Sequence, residues 1–333
     1  MLKPLMANIQ AVKTKEISIQ SIIYQALRNK MGEKAQIRTS ATKQPEVPCF
    51  FIFGDSLVDN GNNNGILTLA RANYQPYGVD FAQGATGRFC NGRTVVDVLA
   101  QLLGFTDYIP PFSSATGDSL IKGVNFASGA SGLGSNDYLN NYFMPNYYST
   151  PNQYTPAAYA TALLQEYSRQ LTDLYRLGAR KVIIPGIGPI GCIPYELARF
   201  NGTAQSRCNE DKNNVVNLFN SGLRQLVDTI NNGQFPGAKF VYLDSFKGSK
   251  ELTANKKSYG LEVTEEGCCG VGKNNGQITC LPLQTPCENR SKYLFWDAFH
   301  PTEVANVIYA KMAYNSKANA YAHPINVRQL ATL

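Results

Sequence analysis

Histidine is scarce in this chain. Its 333 residues include two, His300 and His323, so any step that needs an imidazole base must use one of them. Long apolar runs are missing too. No stretch reaches the 18 or so apolar residues of a transmembrane helix, so nothing in the sequence is expected to span a membrane. The longest apolar piece near the start, "SIIYQAL" at 21–27, is too short for the apolar core of a signal peptide. After position 48 no basic run is interleaved with aromatics, which excludes a nucleic-acid groove. Paired C-x-x-C spacing is absent, and no histidine lies among Cys268, Cys269, Cys280 and Cys287, so no zinc site is expected.

Charged residues make up 17% of the chain and apolar residues 44%, enough to bury a core. The formal charge is +7, and most of the excess comes from residues 1–43, with eight Lys or Arg against Glu16 and Glu33. Residues 1–48 have no clean periodicity and end in "KQPEVP". They read as a basic, disordered leader with some transit-peptide character, followed by one domain over 49–333.

Within that domain "CFFIF" at 49–53 is a continuous apolar run, which suits a strand buried on both faces. "TVVDVLAQLLGF" repeats apolar residues at helical spacing and closes at Gly104. "GVNFAS" at 123–128 is strand-like. The clearest helix lies within 155–180, with Gly178 at its C-cap. "KVIIPGIG" and "KFVYLD" read as further strands, with helices over about 211–231 and after Pro301. Strands alternating with helices imply an α/β fold with a parallel sheet covered on both faces. Ligands bind such sheets beyond the carboxyl ends of the strands, and Ser56 in "FGDSL" lies just past one.

The eight cysteines and the sequons at Asn201 and Asn289 read as an oxidising, secretory context. Cys192–Cys208 and Cys280–Cys287 are close enough in sequence to pair, and the pairing stays open.

A serine hydroxyl needs a base. His300 stands in "FWDAFHPTE" with Asp297 three residues earlier, a spacing that brings both to one side of a helical turn and lets the acid hold the imidazole tautomer. His323 has no acid within four residues and reads as a surface histidine. Candidate oxyanion donors are the Ser56 amide, Gly129 in "NFASGASG" and Asn136 in "GSNDY". A GxSxG elbow is absent at Ser56, which disfavours the other α/β-hydrolases.

Taken together, "GDSL", "GVNFASGASG", "GSNDYLNNYF" and "WDAFHPTE" closely resemble the plant GDSL-type esterase/lipases of the SGNH hydrolase superfamily, over essentially 49–333. The resemblance implies a three-layer α/β/α sandwich with flavodoxin-like strand order. It makes Ser56 the nucleophile, His300 the base, Asp297 its orienting acid, and Gly129 and Asn136 with the Ser56 amide the oxyanion hole. It also implies a carboxylic ester hydrolase that needs no cofactor, is secreted, and acts on lipid esters or on acylated small molecules and polysaccharides.

One departure stands out. Only six residues separate Gly129 from Asn136, whereas the family places the glycine after its second strand and the asparagine after its third. A strand–helix–strand unit needs roughly thirty residues. One helix–strand unit is therefore expected to be missing here, beside the strand that carries Ser56. "EISIQSII" in the leader is a candidate to fill the gap, and a splice or gene-model product is another account of it. The alternative function that follows is an inactive or poorly folded shortened relative that binds a lipid, glycoside or protein.

Overall fold

The computed structural model describes residues 44–117, 119–131, 135–200, 207–317 and 320–333. The leader before residue 44 and the sequon at Asn201 lie outside these.

Two apolar runs build the centre. β1 (Lys181–Pro185) and β2 (Lys239–Leu243) pair in parallel, Lys181 against Lys239 through Pro185 against Leu243. Side chains alternate across a strand, so β2 serves both faces. Phe240 and Tyr242 join one core with Leu163 and Leu171 of α2 (Pro156–Arg176) and Phe219 and Leu223 of α3 (Glu210–Thr229). Val241 and Leu243 join another with Val98 and Leu99 of α1 (Val95–Leu102) and Ala310 and Ala313 of α5 (Glu303–Asn315). Helices thus cover both faces of the strands, in the three layers expected. β5 (Ala322–His323) closes the edge antiparallel to β2, and α4 (Ser245–Ala254) follows β2.

The helices begin and end where the sequence punctuates them. Thr94 caps α1 in a reciprocal box with Asp97, and Thr155 and Thr302 cap α2 and α5. Gly104 and Gly178 follow their helices at φ of +90° and +102°, a conformation that glycine adopts without the Cβ clash. Asp97 also meets the Arg88 guanidinium at 2.8 Å, both side chains buried.

The strand carrying Ser56 belongs to a second, smaller ladder. The Phe50 and Ile52 amides donate to Lys122 and Val124, and the Phe126 amide donates back to Ile52. This is parallel pairing with 122–126, which itself bridges Pro111. Among the described residues no backbone hydrogen bond joins 49–53 to β1. Among the described residues the parallel pairing is therefore in two parts, and the interruption falls where the third strand of the expected order belongs. The Asn136 side-chain amide donates to the Ser131 carbonyl at 3.0 Å.

β3 (Val263–Gly267) and β4 (Tyr293–Phe295) form a separate parallel pair. Disulfides hold the loops around it: Cys268–Cys287 and Cys269–Cys280, with Cys192–Cys208 elsewhere. The third pairing matches one suggested by sequence proximity; Cys280–Cys287 does not form. Cys268 and Cys269 are neighbours on a segment hydrogen-bonded to Phe295 and Trp296. The Cys287 amide donates to the Cys268 carbonyl at 2.8 Å, which holds those two residues together, and Cys269 pairs with Cys280.

Candidate active site

Ser56 leaves its strand through a tight turn. The Asp55 carbonyl accepts from the Val58 and Asp59 amides, and the Asp55 carboxylate accepts from the Leu57 amide at 2.9 Å. The turn lifts Ser56 clear of the strand end. Its hydroxyl lies 2.8 Å from His300 Nε2.

His300 arrives from β4. The chain bends over 296–299, and the Trp296 amide closes the bend on the His300 carbonyl at 2.7 Å. Thr302 locks the exit, its hydroxyl donating to the Tyr293 carbonyl at 2.7 Å while it also caps α5. The spacing of Asp297 and His300 thus works within a bend, where a helical turn was expected. Asp297 Oδ1 accepts from the Phe299 and His300 amides at 2.9 and 2.8 Å, the side-chain-to-backbone turn that aspartate favours. Its two oxygens stand 2.8 and 2.9 Å from His300 Nδ1.

Two residues that sequence reasoning passed over complete this arrangement. Tyr77 and Thr279 donate hydroxyls to Asp297 Oδ2 at 2.6 and 2.7 Å. They come from positions 220 and 18 residues away, and no local pattern marks them. Asp297 is fully buried. Burial alone pushes its carboxyl pKa up, but the charge and hydrogen bond of His300, the Tyr77 hydroxyl and the Phe299 amide outweigh this, and the net shift is below the usual carboxylate value. Tyr77 is driven well above its ordinary range, by burial first and then by the Asp297 charge, so it remains a donor. Phe89 lies against the imidazole, ring centroids 5.1 Å apart.

The polar run after Ser56 has a structural role that its sequence signals only as a turn. Asp59 Oδ1 accepts from the Gly61 and Asn62 amides. The Asn62 side-chain amide donates to the Asn125 and Ala127 carbonyls, and the Asn63 side-chain amide donates to the carbonyl of Gly129 at 3.0 Å. This buried network ties 59–63 to 125–129.

The three oxyanion candidates are in different states. The Ser56 amide has no hydrogen bond among the described residues. The Gly129 amide donates to Asp59 Oδ2 at 2.8 Å. The Asn136 amide donates to Asp55 Oδ2 at 3.0 Å as well as to Ser131. Burial raises the Asp55 pKa, against the lowering effects of the Leu57 amide and His300. His323 stands elsewhere, between Asp228 at 2.6 Å and Arg224 at 3.2 Å; it has an acid partner after all, supplied by α3.

A buried carboxylate, an imidazole and a serine hydroxyl in sequence, at the end of a parallel strand in a three-layer α/β sandwich, are the parts of a serine hydrolase. The chain belongs to the GDSL-like lipase/acylhydrolase family, whose model matches residues 50–133 and 131–312. It is 53% identical to the GDSL esterase/lipase At1g33811 of Arabidopsis thaliana, with 87% of this chain and 93% of the relative covered. Two further Arabidopsis relatives, the GDSL esterase/lipases At5g45670 and At4g18970, are each 47% identical over 88% of this chain and 94% and 95% of their own.

The family match breaks into two segments that meet at 131–133, between Gly129 and Asn136. The alignment to the first relative runs over 345 positions, while 87% of 333 residues is about 290. Some 55 aligned positions (345 less 290) therefore have no residue in this chain. Among the described residues no helix is long and apolar enough to cross a membrane.

Proposed function

We propose that this chain hydrolyses carboxylic esters through Ser56, His300 and Asp297. The observation that carries the reading is the continuous hydrogen-bonded line from the Ser56 hydroxyl through His300 Nε2 and Nδ1 to Asp297, at 2.8 Å per step. His300 takes the Ser56 proton as Oγ attacks the ester carbonyl. Asp297 holds the proton on Nδ1 and stabilises the imidazolium that forms. The Ser56 amide is the first donor for the oxyanion, and the Gly129 and Asn136 amides join it by turning from Asp59 and Asp55. His300 then passes its proton to the alcohol oxygen as the acyl bond breaks. Water releases the acid by the same steps in reverse. Lipid esters and acylated small molecules or polysaccharides are the substrate classes proposed, with residues 49–333 as the hydrolase domain behind a 1–48 leader.

Labelling with an organophosphonate tests this. Purified, folded protein should be modified at Ser56 and should turn over p-nitrophenyl butyrate. No modification of folded protein would reject the reading.

A second reading rests on the donors' present partners. With Gly129 and Asn136 both engaged by carboxylates, the cleft suits a binding protein that does not hydrolyse what it holds. Cooperative melting and ligand-induced stabilisation without turnover would support it.

We also infer export. Three disulfides support an oxidising compartment. Asn289 is exposed, and the Ser291 hydroxyl donates to its side chain at 2.6 Å, so the sequon is presented at the surface. A mass loss at Asn289 on amidase treatment of plant-expressed protein is the expected outcome.

A further inference from the structure

The sequon at Asn289 stands on an anchored turn. Arg290–Lys292 form that turn, and the Lys292 amide donates to the Asn289 carbonyl at 3.2 Å. Arg290 pins it to the Asp80 carboxylate with hydrogen bonds of 2.6 and 2.7 Å. The Ser291 hydroxyl donates to Asn289 Oδ1 at 2.6 Å, which restrains the side-chain amide. The nitrogen of that amide is the atom to which an N-linked sugar is joined.

Asn289 also lines a cleft of about 540 Å³, within the roughly 300–1,000 Å³ of small-ligand sites. The half-buried Val263, Cys287 and Tyr293 give the cleft an apolar lining. Glu262, Glu288 and Lys292 give it charge, with Lys292 and Glu262 paired at 2.9 Å and both partly exposed. A pyranose ring presents the same two kinds of surface. Its C–H face is apolar and suits the ring of a tyrosine. The hydroxyls and acetamido group at its edge suit carboxylates and an ammonium group.

The strands under the cleft are thinly paired. Val263 pairs with Tyr293 and Gly267 with Phe295, with an irregularity between them. β4 leads directly into the bend that holds Asp297 and His300. A group that covers Val263 and Tyr293 therefore supports the strand that delivers His300.

We propose that this cleft is the seat of the innermost N-acetylglucosamine of a glycan on Asn289. The occupant follows from the sequon that lines the cleft: the sugar is tethered there by its own bond, so it meets the lining at high effective concentration. A lipid-linked oligosaccharide diphosphate supplies it. The bond from Asn289 Nδ2 to C1 of the sugar forms, the C1–O bond to the diphosphate breaks, and the proton lost from nitrogen leaves with the lipid diphosphate. The inference rests on the export reading given above and does not depend on hydrolysis.

The test uses the full chain secreted from plant cells. One sample is left as made, and one is trimmed by an endoglycosidase to a single N-acetylglucosamine. The third is Ser291→Ala, trimmed likewise, which removes the sequon and keeps Asn289. Peptide mass reads the occupancy of Asn289. The trimmed parent should melt with the untrimmed one, because the seat holds only the first sugar. Both should melt about 2–4 °C above Ser291→Ala. Cys268–Cys287 should be reduced more slowly in the trimmed parent than in Ser291→Ala, since Cys287 lines the cleft. Introducing Tyr293→Ala into both proteins should remove most of the melting difference.

Two failures are distinguishable. A chain that is not exported, or is exported with Asn289 bare, refutes the export reading of this sequon and the seat with it. An occupied Asn289 whose trimmed form melts and is reduced like Ser291→Ala overturns the seat alone. So does a melting difference that persists in full in the Tyr293→Ala pair. The comparison on the parent decides the matter by itself where Tyr293→Ala does not fold.

Discussion

Asp297→Asn isolates the contribution of one negative charge to the reaction. The side chain is buried and fixed from several directions. Its Oδ1 accepts from two backbone amides and lies 2.8 Å from His300 Nδ1. An asparagine oxygen at that place keeps all three acceptor contacts. The amide nitrogen then replaces Oδ2, where the Tyr77 and Thr279 hydroxyls can rotate to accept. The imidazole tautomer is therefore preserved, and what is lost is the carboxylate charge beside the imidazolium. Two unit charges about 4 Å apart interact by about 4 kcal/mol at an effective dielectric of about 20. A neutral hydrogen bond returns roughly 1 kcal/mol of this. The remaining 3 kcal/mol or so corresponds to a fall in kcat of about 10²-fold. The assay is p-nitrophenyl butyrate turnover, with phosphonate labelling of Ser56 as a single-event readout and thermal melting as the folding control. KM should move little. A folded variant within threefold of the parent would refute the assignment of Asp297 as the group that stabilises the imidazolium.

Tyr77→Phe removes a 2.6 Å hydrogen bond to the same carboxylate. It should lower kcat by about 3- to 30-fold with KM unchanged, the worth of one hydrogen bond to a charged group spread over a site that keeps Thr279. Asp55 has a folded pKa raised by burial, so it binds its proton more tightly folded than unfolded, and its charged form costs stability at neutral pH. Asp55→Asn should accordingly melt higher than the parent at pH 7, and that advantage should vanish as the pH falls through the raised pKa towards 3.8. Asp297 carries the opposite sign: its folded pKa is depressed, so its contribution is complete above the ordinary value of 3.8 and is lost as the pH drops through the folded one. Reduction of Cys268–Cys287 and Cys269–Cys280 opens loops of 19 and 11 residues. Each should cost about 3 kcal/mol, read as an earlier denaturant midpoint in the reduced protein.

Local chemistry made much of this readable from the chain alone. α2 showed itself through its apolar repeat and Gly178, and β1 and β2 through short continuous apolar runs. The scarcity of histidine narrowed the candidate base to His300, and Asp297 lay within reach of it in sequence. The missing unit was legible as well, because six residues cannot hold a crossover, whatever the fold around them. The pairing of the crowded cysteines was not. Which sulfur meets which depends on where the loop after β3 returns, and the Cys287 amide comes back to the Cys268 carbonyl.

Sequence by itself determined the elements, the candidates Ser56 and His300 and the place of the interruption, because each is written in spacing over a few residues. Tertiary structure alone decided what surrounds them. Tyr77 reaches Asp297 across 220 positions, the Gly129 and Asn136 amides turn to Asp59 and Asp55, and Phe53 stacks on Phe126, which meets Phe112. These are contacts between segments far apart in the chain. Their energies depend on distances and faces that exist only once the strands have been laid side by side.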